Sequence, residues 1–183
     1  MSDPAGVDAL ADRESLTVLV LSDTHGPARW PGIPAALAEP LRRADVVLHA
    51  GDLCRAGVLD ELAAAARVPV LAVLGNNDGA DVAAWGDGGV PERREFVLAG
   101  VRFAMVHDSG ARVGRARRMR AWFPGADVVV YGHSHVPYDA VEDGLHLFNP
   151  GSAGDRRAQP TTTYGVLQLT RGRRVAARIL PLA

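Results

Sequence analysis

Three short stretches of nearly uninterrupted apolar residues constrain this chain more than any other feature: Leu16 to Leu21 (LTVLVL), Asp45 to Ala50 (DVVLHA) and Val68 to Leu74 (VPVLAVL). Each has the length of a strand, and continuous rather than alternating apolarity predicts strands buried on both faces. Between the first two lies Ile33 to Arg43, which contains Pro34 and Pro40 and so reads as a short or kinked helix. Gly57 to Arg67, between the second and third, is a better helix candidate. Strand, helix and strand in this alternation describe βαβ units with parallel strands.

A Gly- and Asp-rich connection, Asp81 to Pro91, then leads to Arg94–Leu98, Ala99-Gly100 and Val101–Val106, a β-hairpin with a two-residue turn. An arginine-rich helix is expected over Ala111 to Phe123, stopped by Pro124-Gly125, followed by a valine strand over Asp127 to Tyr131. The segments Tyr138–Glu142, Leu145–Phe148, Tyr164–Leu169 and Arg174–Leu180 read as antiparallel strands. The expectation is an α/β chain, β-rich at its back, with residues 1–15 a flexible acidic N-terminal tail and 16–183 a single domain. With 183 residues, such a domain buries roughly 70% of its unfolded surface and needs no metal or disulfide merely to fold. Its six histidines call for another explanation.

Composition narrows the function classes. Twenty basic residues, all arginine, stand against 21 acidic ones, without the basic excess of a domain that coats nucleic acid. Cys54 has no cysteine partner, which fits a reducing, cytoplasmic setting. Met1 to Ser15 lacks the basic start and apolar run of a secretion signal, and no apolar stretch is long enough to span a bilayer. No membrane role is expected, and a homo-oligomer stays open.

With fifteen aspartates and six histidines, a lone Asp-x-His is expected by chance about 0.5 times, so Asp23-Thr24-His25 alone means little. Its position matters more. Asp23 and His25 follow directly on the first apolar run, at the strand end where ligands bind in open α/β sheets. Gly51-Asp52 ends the second run, Gly75-Asn76-Asn77-Asp78 the third, His107 the hairpin and Gly132-His133-Ser134-His135 the valine strand. Asp23, His25, Asp52, Asn76, His107, His133 and His135 form the inventory that two neighbouring divalent cations need. Two dications, two ionised aspartates and a bridging hydroxide leave a net charge of about +1, which attracts a phosphate oxygen.

In this order the motifs DTH, GD, GNND, His107 and GHSH resemble those of the calcineurin-like metallophosphoesterase superfamily. Asn149-Pro150-Gly151-Ser152 resembles a turn of its small bacterial and archaeal phosphodiesterase branch. The resemblance covers Leu16 to about Leu169. It implies two packed mixed β-sheets flanked by helices, in four αββα layers. It also implies that Asp23, His25 and His135 hold one metal, Asn76, His107 and His133 the other, and Asp52 bridges them. The implied activity is metal-dependent hydrolysis of a small phosphoester, most readily a phosphodiester, by a hydroxide bridging two divalent ions. Asp52, Asn76 and His133 act in catalysis through that hydroxide. Mn²⁺ is the expected metal, with Fe, Co²⁺, Ni²⁺ and Zn²⁺ compatible with the same donors. The alternatives are a non-catalytic protein-interaction scaffold of the same fold, as in a retromer subunit, or a nuclease.

Two departures from the family pattern stand out. Asn77 occupies the place of a histidine that protonates the leaving oxygen in many members, and a carboxamide has no pKa useful for that. No side chain is assigned as general acid, and Asp78 is expected to be a turn residue. Asp108 follows His107 where small members have glycine; it reads as an exposed loop carboxylate ahead of a hydrogen-bond partner for a ligating imidazole, its charge would disfavour an anionic substrate on that side, and it is left unassigned. His49 reads as a satisfied core histidine or a support for the site. Cys54 reads as a small buried side chain, His146 as a strand residue without a metal-spaced partner, and Trp30 as core or pocket lip. The arginines 112, 115, 117, 118 and 120 read as the solvated face of a helix whose buried stripe is Val113, Ala116, Met119 and Phe123.

Overall fold

The computed structural model describes residues 7–182. The first apolar run forms β1 (Ser15–Leu21), and a 3₁₀ turn (Ala35–Leu37) leads into α1 (Ala38–Arg43). Then follow β2 (Val46–His49), α2 (Gly57–Ala66), β3 (Val70–Ala72) and the short α3 (Ala80–Ala83). The second half comprises β4 (Arg93–Leu98), β5 (Val101–Val106), α4 (Arg115–Trp122), β6 (Val128–Val130), β7 (Tyr138–Glu142), β8 (Leu145–Asn149), β9 (Thr162–Thr170) and β10 (Ala176–Leu182).

The strands make two five-stranded mixed sheets, ordered β10-β9-β1-β2-β3 and β4-β5-β6-β8-β7. In the first, β1 runs parallel to β2 and β2 to β3. In the second, β5, β6 and β8 are parallel. Continuous apolarity is explained by the layers. Val18 and Val20 of β1 face the other sheet, packing with Leu48, Val73, Met105, Val130 and Phe148. Leu19 and Leu21, on the opposite face, pack with Leu37, Leu41, Leu59 and Leu62 of the helical layer. A third cluster seals α4 to the second sheet through Ala116, Met119, Phe123, Val129, Tyr131 and Leu147. The order is helix, sheet, sheet, helix, with each buried aliphatic or aromatic side chain worth about 1.5–3 kcal/mol.

Three expectations are corrected. Of the segment expected to be a flexible tail, residues 1–6 lie outside the described residues. Val7 and Leu10 are buried in the core between the sheets, and the carbonyls of Leu10 and Ala11 accept the amides of Ala99 and Gly100, both at 2.9 Å. The segment thereby caps the β4–β5 turn, whose residues Ala99 and Gly100 both have positive φ. Nor are the four late strands simply antiparallel: β8 runs parallel to β6 and antiparallel to β7, while β9 and β10 join the other sheet. Apolar pattern reports burial but not a strand's partner. Finally, α4 begins at Arg115 after left-handed Gly114, which leaves Val113 outside the buried stripe and 89% exposed.

The parallel strands β1, β2, β3, β5, β6 and β8 all end at one rim. The loops leaving them carry every residue singled out for chemistry.

Candidate metal centre

The loops after β1, β2 and β6 share a backbone device. Asp23 and His25 have φ of 54° and 49°, Asp52 and Cys54 59° and 67°, and His133 and His135 66° and 58°. Left-handed geometry costs a non-glycine residue about 1–2 kcal/mol, so three i, i+2 pairs of this kind require outside support. Part of it is backbone stitching: Asp23 and His25 donate their amides to the carbonyls of Gly51 and Asp52, both at 3.0 Å. His133 donates its amide to Asp23 Oδ2 at 3.1 Å, and Ser152 Oγ donates to the Asp23 carbonyl at 2.8 Å. Asn149 spans the next turn, giving Nδ2–H to the Gly132 carbonyl and accepting the Gly151 amide. Gly75 and Gly132 are required sterically. A Cβ on the first would fall into the carboxylate and amide of Asp52, and on the second into Ser22 Oγ.

Seven side chains named from the sequence line this rim. Each of the four imidazoles has Nδ1 engaged: His107 with the Ala50 carbonyl at 2.7 Å, His135 with the Asp155 carbonyl, His133 with Asn76 Oδ1 at 2.9 Å and His25 with Cys54 Sγ at 3.5 Å. A carbonyl can only accept, so Nδ1 of His107 and of His135 carries a proton and Nε2 faces the interior of the rim. Nε2 of His25 and Nε2 of His135 meet at 3.2 Å. His135 Nε2 lies 3.2 Å from Asp23 Oδ1, and His107 Nε2 lies 3.4 Å from Asp52 Oδ2. Asp23 Oδ1 and His107 Nε2 are nonetheless buried without a hydrogen-bond partner. Convergent imidazole nitrogens and carboxylate oxygens, two of them unpartnered, are what a cation would satisfy, and two sets can hold one: Asp23, His25 and His135, and Asp23, Asp52 and His107. The mixed imidazole and carboxylate donors fit a transition-metal dication better than Mg²⁺ or Ca²⁺.

Asp52 Oδ2 lies between His25 Nε2, at 3.7 Å, and His107 Nε2. Asp23 is the residue common to both sets. Asn76 and His133 form the outer edge and are paired with each other; His133 is 45% exposed.

Asp52 is held ionised. Burial works to raise its pKa, but His107 and two hydrogen bonds from Asn77 overcome it and hold the carboxyl well below the ordinary range. Those bonds run from the Asn77 amide to Oδ1 at 2.9 Å and from Nδ2 to Oδ2 at 2.7 Å. For His107, burial lowers the pKa, and the carboxylates of Asp52 and Asp23 outweigh it and raise it.

Three residues have roles the sequence reading missed or left open. Asp78, expected to be a turn residue, accepts the backbone amides of Asp52 at 3.0 Å, Cys54 at 2.7 Å and Gly75 at 2.7 Å, tying the second and third loops together. Its place in the GNND motif was the only available signal. Cys54, expected to be a small buried side chain, stands directly behind His25, and burial followed by the Asp78 carboxylate pushes its thiol up to about 11. His49 is fully buried, accepting the Gly51 amide through Nδ1 at 3.3 Å and pairing through Nε2 with Thr24 Oγ1 at 3.2 Å. It supports the first two loops at once. Trp30 is buried, with Nε1–H donated to Glu61. His146 pairs with Asp139 at 2.7 Å, away from the rim.

The arginine helix is not a free basic face. Arg115 donates to Tyr131 Oη, Arg118 to the carbonyls of Ser109 and Ala111, and Arg120 to that of Ala126. Three of the five arginines are spent holding neighbouring structure.

Residues 16–172 match the calcineurin-like phosphoesterase superfamily domain. The chain belongs to that superfamily. A probable metallophosphoesterase from Methanothermobacter thermautotrophicus is 35% identical over 138 residues, covering 73% of this chain and 74% of that one. Among solved structures, vacuolar protein sorting 29 from Cryptosporidium parvum superposes with a TM-score of 0.75 at 18% identity, over 92% of this chain and all of that one. A novel archaeal phosphodiesterase superposes with a TM-score of 0.71 at 22% identity, over 90% of this chain and all of that one. At these identities the superpositions speak for the fold. Among the described residues, no helix of this calcineurin-like domain is long and apolar enough to cross a membrane.

Proposed function

We propose that this protein is a dinuclear metal-dependent phosphodiesterase whose ligands are Asp23, His25, Asp52, Asn76, His107, His133 and His135. The observation that carries the reading is the pair of buried, unpartnered atoms Asp23 Oδ1 and His107 Nε2, set among imidazole nitrogens at the rim of both sheets. Bound divalent ions, Mn²⁺ first among them, would acidify a coordinated water and neutralise charge on the phosphoryl oxygens. The chain's own groups prepare the site for this. Asp52 is kept anionic by Asn77 and His107, and the His107 and His135 rings are fixed by backbone carbonyls with Nε2 turned inward. The left-handed loops place these donors before any ligand arrives, so little reorganisation accompanies binding.

The preference for diesters or other good leaving groups rests on Asn77. Its carboxamide has no pKa suited to proton donation, and its Nδ2–H is already given to Asp52, so the leaving oxygen departs without a proton from this side chain. Membership of the calcineurin-like superfamily and the named phosphodiesterase among the fold relatives support the reading. A second reading, a non-catalytic protein-binding role in the cytoplasm, is favoured by the likeness to vacuolar protein sorting 29. Against it stand the two convergent donor sets.

The test is reconstitution. Chelator-stripped protein should be inactive on bis(4-nitrophenyl) phosphate, an activated diester, and regain turnover with Mn²⁺. No turnover with Mn²⁺, Fe²⁺, Co²⁺, Ni²⁺ or Zn²⁺ overturns the reading, and stoichiometric metal binding without turnover favours the protein-binding role.

A further inference from the structure

One carboxylate at the rim is absent from the donor sets. Asp108 directly follows His107, and its side chain is 58% exposed with Oδ2 3.9 Å from His133 Nε2. It is not a loose loop residue. Oδ1 accepts the Gly110 amide at 2.7 Å, and Arg118 pins the same loop through the carbonyls of Ser109 and Ala111. Among the described residues no arginine lies within ion-pairing distance of it. Asp108 shares a cleft of about 420 Å³ with Asn76, His107, His133, Glu92, Arg93 and Trp122. Arg93 stands 4.1 Å over the Trp122 ring, stacked there and not ion-paired with Asp108. The carboxylate of Asp108 therefore leaves the wall beside His133 with a fixed, unneutralised negative charge.

We propose that Asp108 is a specificity-determining residue that selects ester phosphates carrying one negative charge over those carrying two. The inference rests on the phosphoesterase reading above. A phosphodiester has a single ionised oxygen, whereas a monoester gains a second charge above its second pKa, about 6. That extra charge sits on phosphoryl oxygens brought next to His133, facing Asp108. Two like charges about 7 Å apart at an effective dielectric constant of about 30 repel enough to change a rate or affinity about tenfold. Cations in the centre attract the second charge, so the ratio of the two esters reads the balance, and the share due to Asp108 is what its removal changes.

Asp108→Asn tests this cleanly because the amide oxygen can still accept the Gly110 amide while the charge is lost. Wild type, D108N and D108E are compared at pH 8 with Mn²⁺, using 4-nitrophenyl phosphate and bis(4-nitrophenyl) phosphate at 0.05 and 0.5 M salt, with orthophosphate affinity measured by calorimetry. D108N should raise the monoester-to-diester ratio of kcat/KM about tenfold and tighten orthophosphate binding by a similar factor, while D108E keeps the wild-type values. Salt should move the wild-type ratio toward that of D108N and leave D108N nearly still, because exposed charges are screened. An unchanged ratio in D108N, or equal salt response in both proteins, overturns the inference. If the wild type hydrolyses neither ester, the phosphoesterase reading fails. Orthophosphate binding then decides separately, and equal affinity in wild type and D108N rejects the role of Asp108.

Discussion

Acid should destabilise this protein through one histidine that is not among the proposed ligands. His49 is 0% exposed, and burial, partly opposed by the Asp23 and Asp52 carboxylates, pushes its imidazole down to about 3 from 6.5. Below pH 6.5 the unfolded chain takes up a proton at this position while the folded one does not, until pH approaches 3. Its contribution to stability is therefore fully present above 6.5 and lost as pH falls. At about 1.4 kcal/mol per unit, the drop from pH 6.5 to 5 costs about 2 kcal/mol, and the whole window about 5 kcal/mol. His49→Gln keeps a hydrogen-bonding side chain that cannot titrate. Urea unfolding of chelator-treated protein at pH 7.5, 6.5, 5.5 and 5 should show the wild type losing about 2 kcal/mol more than the variant between pH 6.5 and 5. Groups common to both proteins cancel in the difference. Parallel curves would refute the reasoning, whatever the offset between them.

Three further outcomes follow from particular contacts. Wild-type rates on a series of aryl diesters should fall steeply as the leaving phenol becomes less acidic, and Asn77→His should flatten that slope; equal slopes would mean that another group supplies the proton. Gly75→Ala should weaken Mn²⁺ binding at least tenfold by calorimetry while leaving the far-ultraviolet dichroism unchanged, because the new Cβ displaces Asp52 and not the sheets. Leu10→Ala should cost about 2 kcal/mol in urea unfolding, since Leu10 packs in the core between the sheets. A mobile tail would make that substitution silent.

Much of this fold is legible in the sequence because strand burial writes itself directly into composition. LTVLVL is apolar throughout since Val18 and Val20 serve one layer and Leu19 and Leu21 another. The rim was readable because polar residues interrupt these runs at the same end of each strand. What stayed hidden depends on partners distant in the chain. Nothing near Leu10 announces that its carbonyl meets Ala99, and nothing beside Leu145 says that β8 lies parallel to β6. The threefold role of Asp78 depends on two loops about 25 residues apart being brought together. Five arginines in nine positions suggested a charged surface, yet the carbonyls that engage two of them belong to loops whose paths only tertiary packing fixes.

The proposed donors of the rim are divided between the layers: Asp23, His25, Asp52 and Asn76 hang from the sheet containing β1, β2 and β3, and His107, His133 and His135 from the one containing β5 and β6. A dication gripped from both sides is a rivet through the inter-sheet seam, and pulling the layers apart must break its coordination. At a thousandfold excess over its dissociation constant such a rivet adds about 4 kcal/mol to cohesion. The melting temperature of this protein then becomes a gauge of metal supply, readable without any substrate.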